Sequence, residues 1–160
     1  MAKTAKKKET APKKAGKVSL GKARLLVVDD EADFAKMVQK ALTQSGYSVD
    51  IATKATQAMI LQRKRSYDLA LLDMLMPEMT GLELMQYLKG RDKKIFVLIM
   101  TAYGSFSLGI ESLKRGACDY LPKPFKLKTL RDKVAEALKR RSKYLQEQRF
   151  FPQRASMDEW

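Results

Sequence analysis

Short apolar runs alternate with helix-like stripes along most of this chain. The runs are rich in aliphatic residues and occupy positions 24–29, 48–52, 68–73, 95–100 and 118–121. Between and after them, apolar residues recur at the three- and four-residue spacing of one helix face. A run that is apolar at nearly every position is typical of a strand buried on both faces. Five strand–helix alternations therefore predict an α/β fold in which helices cover both faces of a parallel sheet.

The stripes also make predictions about single residues. The first includes Met37, and the fourth includes Phe106 and has Gly109 inside it. Residues of a stripe are expected to face the core, and a glycine inside a helix is expected to weaken that helix. The fifth stripe continues into basic residues 139–147, and Pro152 is expected to end this helix.

Three aspartates stand where predicted strands end. Asp29 and Asp30 follow the first apolar run, and Asp73 closes the third. Because open α/β sheets bind ligands at the carboxyl ends of their strands, we expect these side chains to lie together. Carboxylates held so close raise each other's pKa unless a cation neutralises them, and an all-oxygen set suits a hard cation such as Mg²⁺. The simpler alternative is that Asp29 or Asp30 only caps the next helix.

Two more polar residues follow strands. Thr101 comes after the fourth apolar run, and Lys123 comes just after the fifth. Phosphoryl transfer to a carboxylate needs a nucleophile, a cation beside it and donors for the phosphoryl oxygens. Asp73 can be the nucleophile, and Asp29 and Asp30 can hold a metal. The hydroxyl of Thr101 and the ammonium of Lys123 can then bind the phosphoryl oxygens. Taken alone, Thr101 could be a helix cap and Lys123 a surface charge.

The charge is concentrated at the two ends of the chain. Of the net charge of +14, residues 1–24 carry +8 and residues 123–160 carry +6, whereas residues 25–122 are neutral. There is one cysteine, Cys118, and no histidine, which argues against zinc and fits a reducing compartment. No apolar run approaches the roughly 18–20 residues of a membrane span. The chain is predicted to be cytoplasmic and not inserted in a membrane.

Four motifs closely resemble the receiver domain of bacterial two-component response regulators. They are VVDDE at 27–31, LDMLMPEMTG at 72–81, MTAYG at 100–104 and DYLPKPF at 119–125. The resemblance runs from about Arg24 to Arg140, and 101–105 and 114–117 are most similar to receivers of the nitrogen-regulation class. It implies a flavodoxin-like, doubly wound sheet of five parallel strands, (βα)5, in strand order 2-1-3-4-5.

The resemblance also implies a chemistry for the site. Asp73 matches the phosphoacceptor, which receives its phosphoryl group from a sensor histidine kinase or a phosphotransfer protein. Asp29 and Asp30 match the acidic pair that binds Mg²⁺ together with the acceptor aspartate and a backbone carbonyl, here that of Leu75. Such a domain catalyses its own phosphorylation and dephosphorylation, so we expect no turnover enzyme.

A second group of residues matches the family's conformational switch. Thr101 corresponds to the hydroxyl that moves to the phosphoryl group, and Tyr120 to the aromatic residue that then turns inward. Lys123 corresponds to the lysine that pairs with the phosphoryl group, and its bond to Pro124 is expected to be cis. The face of the fourth helix, fifth strand and fifth helix is expected to contact a downstream protein partner.

The predicted organisation has three parts: a disordered basic arm at 1–21, a receiver domain at 22–141 and a partly helical extension at 142–160. The residues after the receiver are too few to form an independent output domain, so a stand-alone receiver is expected. The extension is a candidate for a homodimer or docking contact. The arm offers Lys6, Lys7, Lys8, Lys13 and Lys14 for nonspecific, salt-dependent binding of nucleic acid. It could equally bind an acidic protein or only increase solubility.

Two other functions fit the sequence less well. One is a nonspecific DNA-binding protein whose basic arm is gated by phosphorylation. The other is a phosphatase of the haloacid dehalogenase type, which also forms an aspartyl phosphate with Mg²⁺. Such an enzyme needs a second aspartate two residues after a nucleophile on the first strand, and Asp29-Asp30-Glu31 does not fit that spacing.

Overall fold

The computed structural model describes residues 23–102 and 105–152. The predicted arm and its lysines, Tyr103, Gly104 and the end of the extension lie outside these ranges. The strands are β1 (Arg24–Val28), β2 (Ser48–Ala52), β3 (Leu69–Asp73), β4 (Phe96–Thr101) and β5 (Asp119–Pro122). The helices are α1 (Ala32–Gln44), α2 (Ala55–Lys64), α3 (Gly81–Arg91), α4 (Phe106–Lys114) and α5 (Leu127–Phe150).

All five strands are parallel and lie in the order β2-β1-β3-β4-β5, which confirms the predicted order and the doubly wound α/β class. The central strand β3 is buried at every position, and β1 and β4 are buried at all but their first residue. Helices on both faces explain why these strands are continuously apolar rather than alternating.

Alternate residues of each strand enter two separate cores. Leu26 and Val28 of β1 pack with α2 and α3 on one face of the sheet. Leu25 and Val27 pack with α1 and α5 on the other face. Because successive side chains of a strand point to opposite faces, one apolar run supplies both cores.

Two predictions about single residues need correction, and a third residue has a contact that the sequence did not indicate. Met37 and Phe106 do not face the core, since their side chains are 43% and 69% exposed. Helix α1 buries its small and branched residues, among them Val38, and Phe106 is the first residue of α4. Gly109 is buried, and a Cβ atom there would lie 2.6 Å from the ring of Tyr120. The absence of a side chain at Gly109 therefore makes room for this ring, and the expected weakening of α4 stays a prediction.

The last helix runs well beyond the sheet, as predicted, and ends at Phe150, before Pro152. Arg141, just before the predicted extension, attaches this helix to residues at the amino-terminal ends of β3 and β4. Arg141 Nη1 lies 2.8 Å from Asp68 Oδ1, and its Nε donates to the carbonyl of Lys94 at 2.7 Å. None of the described helices is both long and apolar enough to cross a bilayer.

Candidate functional site

The structure brings the three aspartates together at the carboxyl end of the sheet. Asp29 and Asp30 follow β1, and Asp73 is the last residue of β3. One carboxylate oxygen from each of the three lies within 4.8 Å of the corresponding oxygens of the other two. Asp29 and Asp73 are 1% and 8% exposed, whereas Asp30 is exposed. The predicted juxtaposition is thus present, and the cluster has one side open to solvent.

Neither Asp29 nor Asp30 caps α1. The residue at the N-cap is Glu31, and no side chain caps this helix. Asp29 instead accepts a hydrogen bond from the backbone N–H of Glu31 at Oδ1 (3.0 Å), while its own N–H donates to the carbonyl of Ala52 (3.1 Å). These bonds fix the Asp29 carboxylate and leave its second oxygen for another partner.

That partner is Lys123. Its Nζ lies 2.6 Å from Asp29 Oδ2 and 3.5 Å from Asp73 Oδ1, and it is 4.3 Å from the centroid of the Phe34 ring. Two carboxylates and an aromatic face around one ammonium are not the surroundings of a solvated surface charge. The Lys123-Pro124 bond is cis, as expected.

Thr101 is the last residue of β4 and is 1% exposed. The N-cap of α4 is Ser105, so Thr101 does not cap this helix. In the sheet register Asp73 is opposite Met100, which places Thr101 one position beyond the end of β3. The carbonyl of Thr101 accepts a hydrogen bond from the N–H of Lys123 at 2.6 Å, and this bond ties the ends of β4 and β5 together.

The cluster carries more negative than positive charge. Burial, then the neighbouring Asp29 carboxylate, raise the pKa of Asp73 to about 6, against the opposing attraction of Lys123; Asp30 adds a smaller increase. Three carboxylates around one ammonium leave an excess of negative charge that a further cation would neutralise. A donor set made only of oxygens, with one exposed member that leaves room for water ligands, fits a hard divalent cation.

Gly81 and the side-chain cap at the start of α3 are site features that we did not predict from the sequence. A Cβ atom on Gly81 would overlap the carbonyl oxygen of Asp73, and the Gly81 N–H donates to the carbonyl of Met74 at 2.8 Å. Thr80 and Glu83 form a capping box that fixes the start of α3 at this place. The pattern Thr-x-x-Glu before an apolar stripe is the signal that could have revealed the cap. The glycine therefore lets α3 begin directly against the backbone of the acceptor candidate.

Tyr120 lies on β5. It is half-buried, and its ring packs against Gly109 and edge-on to Phe106, with ring centroids 6.4 Å apart. Leu75 is 59% exposed beside the cluster. The switch role of Tyr120 and the metal contact of the Leu75 carbonyl stay predictions.

A cleft of about 300 Å³ opens from Asp30. Its other lining residues come from the ends of the β2–α2 and β3–α3 connections, and they include Thr53, Lys54, Met76, Pro77 and Glu78. The exposed side of the cluster therefore faces a space that a small donor or the side chain of a partner can enter.

Comparison with known proteins gives a consistent result. The model of the response regulator receiver domain family matches residues 25–135. The transcriptional regulatory protein TctD of Salmonella typhimurium is 42% identical over 119 residues, which is 74% of this chain and 53% of TctD. The transcriptional regulatory protein ZraR of Klebsiella oxytoca is 41% identical over 114 residues, covering 71% of this chain and 26% of ZraR. This chain thus spans about half of the first relative and about a quarter of the second.

Solved structures agree with the sequence relatives. A CheY-like response regulator receiver domain protein from Methanospirillum hungatei superposes with a TM-score of 0.71 at 30% identity, over 76% of this chain and 98% of that one. NtrX from Brucella abortus gives a TM-score of 0.76 at 28% identity, over 78% of this chain and 29% of NtrX. Since the family model covers more than half of the residues and the fold and acidic cluster are in place, this chain belongs to the response regulator receiver domain family.

Proposed function

We propose that Asp73 accepts a phosphoryl group from a sensor histidine kinase or a phosphotransfer protein, with Mg²⁺ bound beside it. The observation that carries this function is the buried Asp73 carboxylate at a strand end, with two carboxylates within 4.8 Å and the Lys123 ammonium at 3.5 Å. A receiver domain with this arrangement has a nucleophile, metal ligands and a cationic group for the phosphoryl oxygens.

Each residue of the site has its own part in this transfer. An oxygen of the ionised Asp73 forms the new bond to phosphorus while the bond from phosphorus to the donor's imidazole nitrogen breaks, and that nitrogen keeps the electron pair. With a pKa of about 6, Asp73 is mostly ionised at neutral pH, as a nucleophile must be. Asp29, Asp30 and Asp73 would hold the cation, whose chemistry is to neutralise these carboxylates and the incoming phosphoryl oxygens. Lys123 is positioned to move from the carboxylates to a phosphoryl oxygen.

The product remains attached to the protein, so the chain acts as a phosphoacceptor and not as a turnover enzyme. Water later hydrolyses the aspartyl phosphate and returns Asp73 to its free form. The signal therefore lasts as long as Asp73 remains phosphorylated. A cytoplasmic location belongs to the same proposal, since the single cysteine fits a reducing compartment.

Phosphorylation would be transmitted through Thr101 and Tyr120. A hydroxyl that moves to a phosphoryl oxygen vacates space behind it, and the Tyr120 ring, in contact with Gly109 and Phe106, would move with it. This rearrangement alters the surface of α4, β5 and α5, where the exposed Phe106 is available to a protein partner. If amide exchange over residues 105–125 responds to acetyl phosphate identically in wild type and Thr101→Ala, the switch role is wrong.

TctD and ZraR are named as transcriptional regulatory proteins, and this chain spans only part of each. We propose that the receiver acts on such an output through protein contact. Nonspecific binding of DNA by the lysine arm is the alternative, and it predicts salt-dependent gel retardation that is lost when residues 1–20 are deleted. The protein-contact proposal predicts that deletion of residues 1–20 causes no loss of DNA retardation.

The acceptor role is tested by intact mass after incubation with acetyl phosphate and Mg²⁺. We expect one added phosphoryl group on the wild type, none on Asp73→Asn and none after chelation of the metal. Asp132→Asn is a matched control, since Asp132 is an exposed aspartate of α5 that pairs with Lys128, and it should be phosphorylated normally. Full phosphorylation of Asp73→Asn would refute the assignment.

A further inference from the structure

The ammonium of Lys123 has an aromatic neighbour in addition to its two carboxylates. Its Nζ lies 2.6 Å from an oxygen of Asp29 and 3.5 Å from an oxygen of Asp73, and it is 4.3 Å from the centroid of the Phe34 ring. Phe34 is half-buried and belongs to the first turn of α1, whereas the other groups of the site stand at strand ends. The ring has no chemistry of its own to offer to phosphoryl transfer, so its place at the ammonium needs a separate explanation.

A second aromatic residue fixes this ring. Phe34 and Phe125 pack edge to face, with centroids 5.6 Å apart and ring planes at 70°. Both rings also pack against the core that α1 and α5 form with the sheet. Phe125 follows Lys123 by two residues, so one short segment supplies both the ammonium and the ring that supports Phe34. The aromatic contact therefore joins α1 to the connection between β5 and α5 at the position of Lys123.

A ring and a carboxylate hold an ammonium in different ways. A lysine has a flexible stem and a strongly hydrated charge, so water at the open side of the site competes for it. A carboxylate keeps the ammonium in place, but it also neutralises the charge and competes with the phosphoryl oxygens. The face of an aromatic ring attracts a cation without carrying a net charge. The ring of Phe34 can therefore retain the Lys123 ammonium and leave its charge available to an incoming anionic group.

We propose that Phe34 is a positioning residue for phosphoryl transfer. Its ring keeps the ammonium of Lys123 in the site while the ammonium passes from Asp29 and Asp73 to a phosphoryl oxygen. This inference rests on the proposed function and adds a residue of α1 to it. A cation over an aromatic face typically favours the held position by about 2- to 30-fold, with the larger values at desolvated sites. The Lys123 side chain is 22% exposed, so we expect an effect inside this range.

A double-mutant cycle measures the contact without any phosphorylation. Phe34→Leu keeps an apolar side chain but removes the ring, and Lys123→Met keeps the stem but removes the ammonium. Urea denaturation of the wild type, the two single variants and the double variant, with a chelator present, gives four folding equilibrium constants. Phe34→Leu should lower this constant about five- to tenfold more in the wild type than in Lys123→Met. A ring that only fills space would have the same effect in both backgrounds.

The positioning role is measured as the rate of phosphorylation by acetyl phosphate at saturating Mg²⁺. We expect Phe34→Leu to slow this reaction about five- to tenfold, and Phe34→Tyr, which keeps the aromatic face, to stay within about twofold of wild type. Phe96→Leu is the matched control. It removes a half-buried ring that packs on Tyr144 at the other end of the sheet, and it should leave the rate unchanged. If Phe34→Leu does not fold, Phe34→Met replaces it in both measurements, since methionine adapts to irregular space in a core.

Two results would overturn the role of Phe34 alone. One is an equal loss of stability from Phe34→Leu in both backgrounds, because the ring would then not act through the ammonium. The other is a wild type that is phosphorylated while Phe34→Leu and Phe34→Tyr react at the same rate. A wild type that takes up no phosphoryl group would refute the proposed function, and the positioning role with it, whereas the contact itself would still be seen in the cycle.

Discussion

The two ends of the sheet in this receiver are built from the same elements but are opposite in character. At the carboxyl end, Asp29, Asp73 and Thr101 are buried and converge on Lys123, and the negative charge exceeds the positive. At the amino end, Lys89 and Arg140 line a basic cleft, where Lys89 donates to the carbonyl of Gly116 and Arg140 lies 3.9 Å from a carboxylate oxygen of Asp119. The first arrangement concentrates negative charge around the buried Asp73 carboxylate, whereas Lys89 and Arg140 at the other end have a backbone carbonyl and carboxylates as partners. The difference supports the proposal that the covalent chemistry takes place at the carboxyl end.

The largest effect should follow from filling the space behind Asp73. In Gly81→Ala, the new Cβ would overlap the Asp73 carbonyl oxygen, so the backbone of α3 or of the site must shift. We expect a loss of about 2–4 kcal/mol in the free energy of unfolding. Gly90→Ala is the matched control on the same helix, since nothing lies within 4 Å of the place that its Cβ would occupy. It should gain about 0.5–1 kcal/mol from helix propensity. Urea denaturation measures both, and equal effects would contradict the close approach of α3 to Asp73.

The next effect concerns the repulsion at the carboxyl end. The pKa of Asp73 is raised from 3.8 to about 6 in the folded protein without metal. At this group the folded state therefore holds more protons than the unfolded state between these values, so the contribution of Asp73 to stability falls as the pH rises from about 4 to about 6. The loss is at most about 3 kcal/mol at neutral pH, because water reaches the open side of the cluster and screens part of the repulsion. Asp73→Asn should remove it and be more stable than wild type at pH 7, but not at pH 4.

Urea denaturation in the presence of a chelator, from pH 4 to pH 8, tests this. Asp132→Asn is the control and should keep the wild-type pH dependence, because its aspartate is exposed on α5. If Asp73→Asn were less stable than wild type at pH 7, the carboxylate would be stabilising, and the description of the cluster as repelling would be wrong.

At the amino end, the attachment of α5 should be moderately stabilising. Arg141 pairs with Asp68 at 2.8 Å and donates to the Lys94 carbonyl, and its side chain is only 15% exposed. Arg141→Gln should cost about 1–2 kcal/mol, the usual loss for such hydrogen bonds to a charged group. Arg149→Gln changes an exposed arginine of the same helix and should stay within about 0.5 kcal/mol of wild type. Neither variant should change phosphorylation by acetyl phosphate, and slower phosphorylation of Arg141→Gln would show that the two ends of the sheet are coupled.

The contrast between the two ends also explains what could be predicted from the sequence. The acidic site lies at strand ends, so apolar runs that stop at Asp29 and Asp73 locate it, and the family motifs assign its residues. The basic cleft is assembled from Lys89, Gly116 and Arg140 in three different parts of the chain, and no periodicity relates these positions. Side-chain contacts across the sheet, such as Gly109 with Tyr120, depend on how the helices are rotated. Hydrophobic spacing alone does not fix that rotation, and this is why Met37 was wrongly expected in the core.

The central claim is that Asp73 is the covalent acceptor, and chemical trapping of the phosphoryl group tests it most directly. Borohydride reduces an aspartyl phosphate to homoserine, so the acceptor is marked permanently and can be located by peptide mass mapping after phosphorylation with acetyl phosphate and Mg²⁺. We predict homoserine at position 73 and unmodified aspartate at positions 29 and 30, since Asp29 is occupied by the Glu31 N–H and by Lys123. Homoserine at position 29 or 30, with Asp73 intact, would contradict the claim.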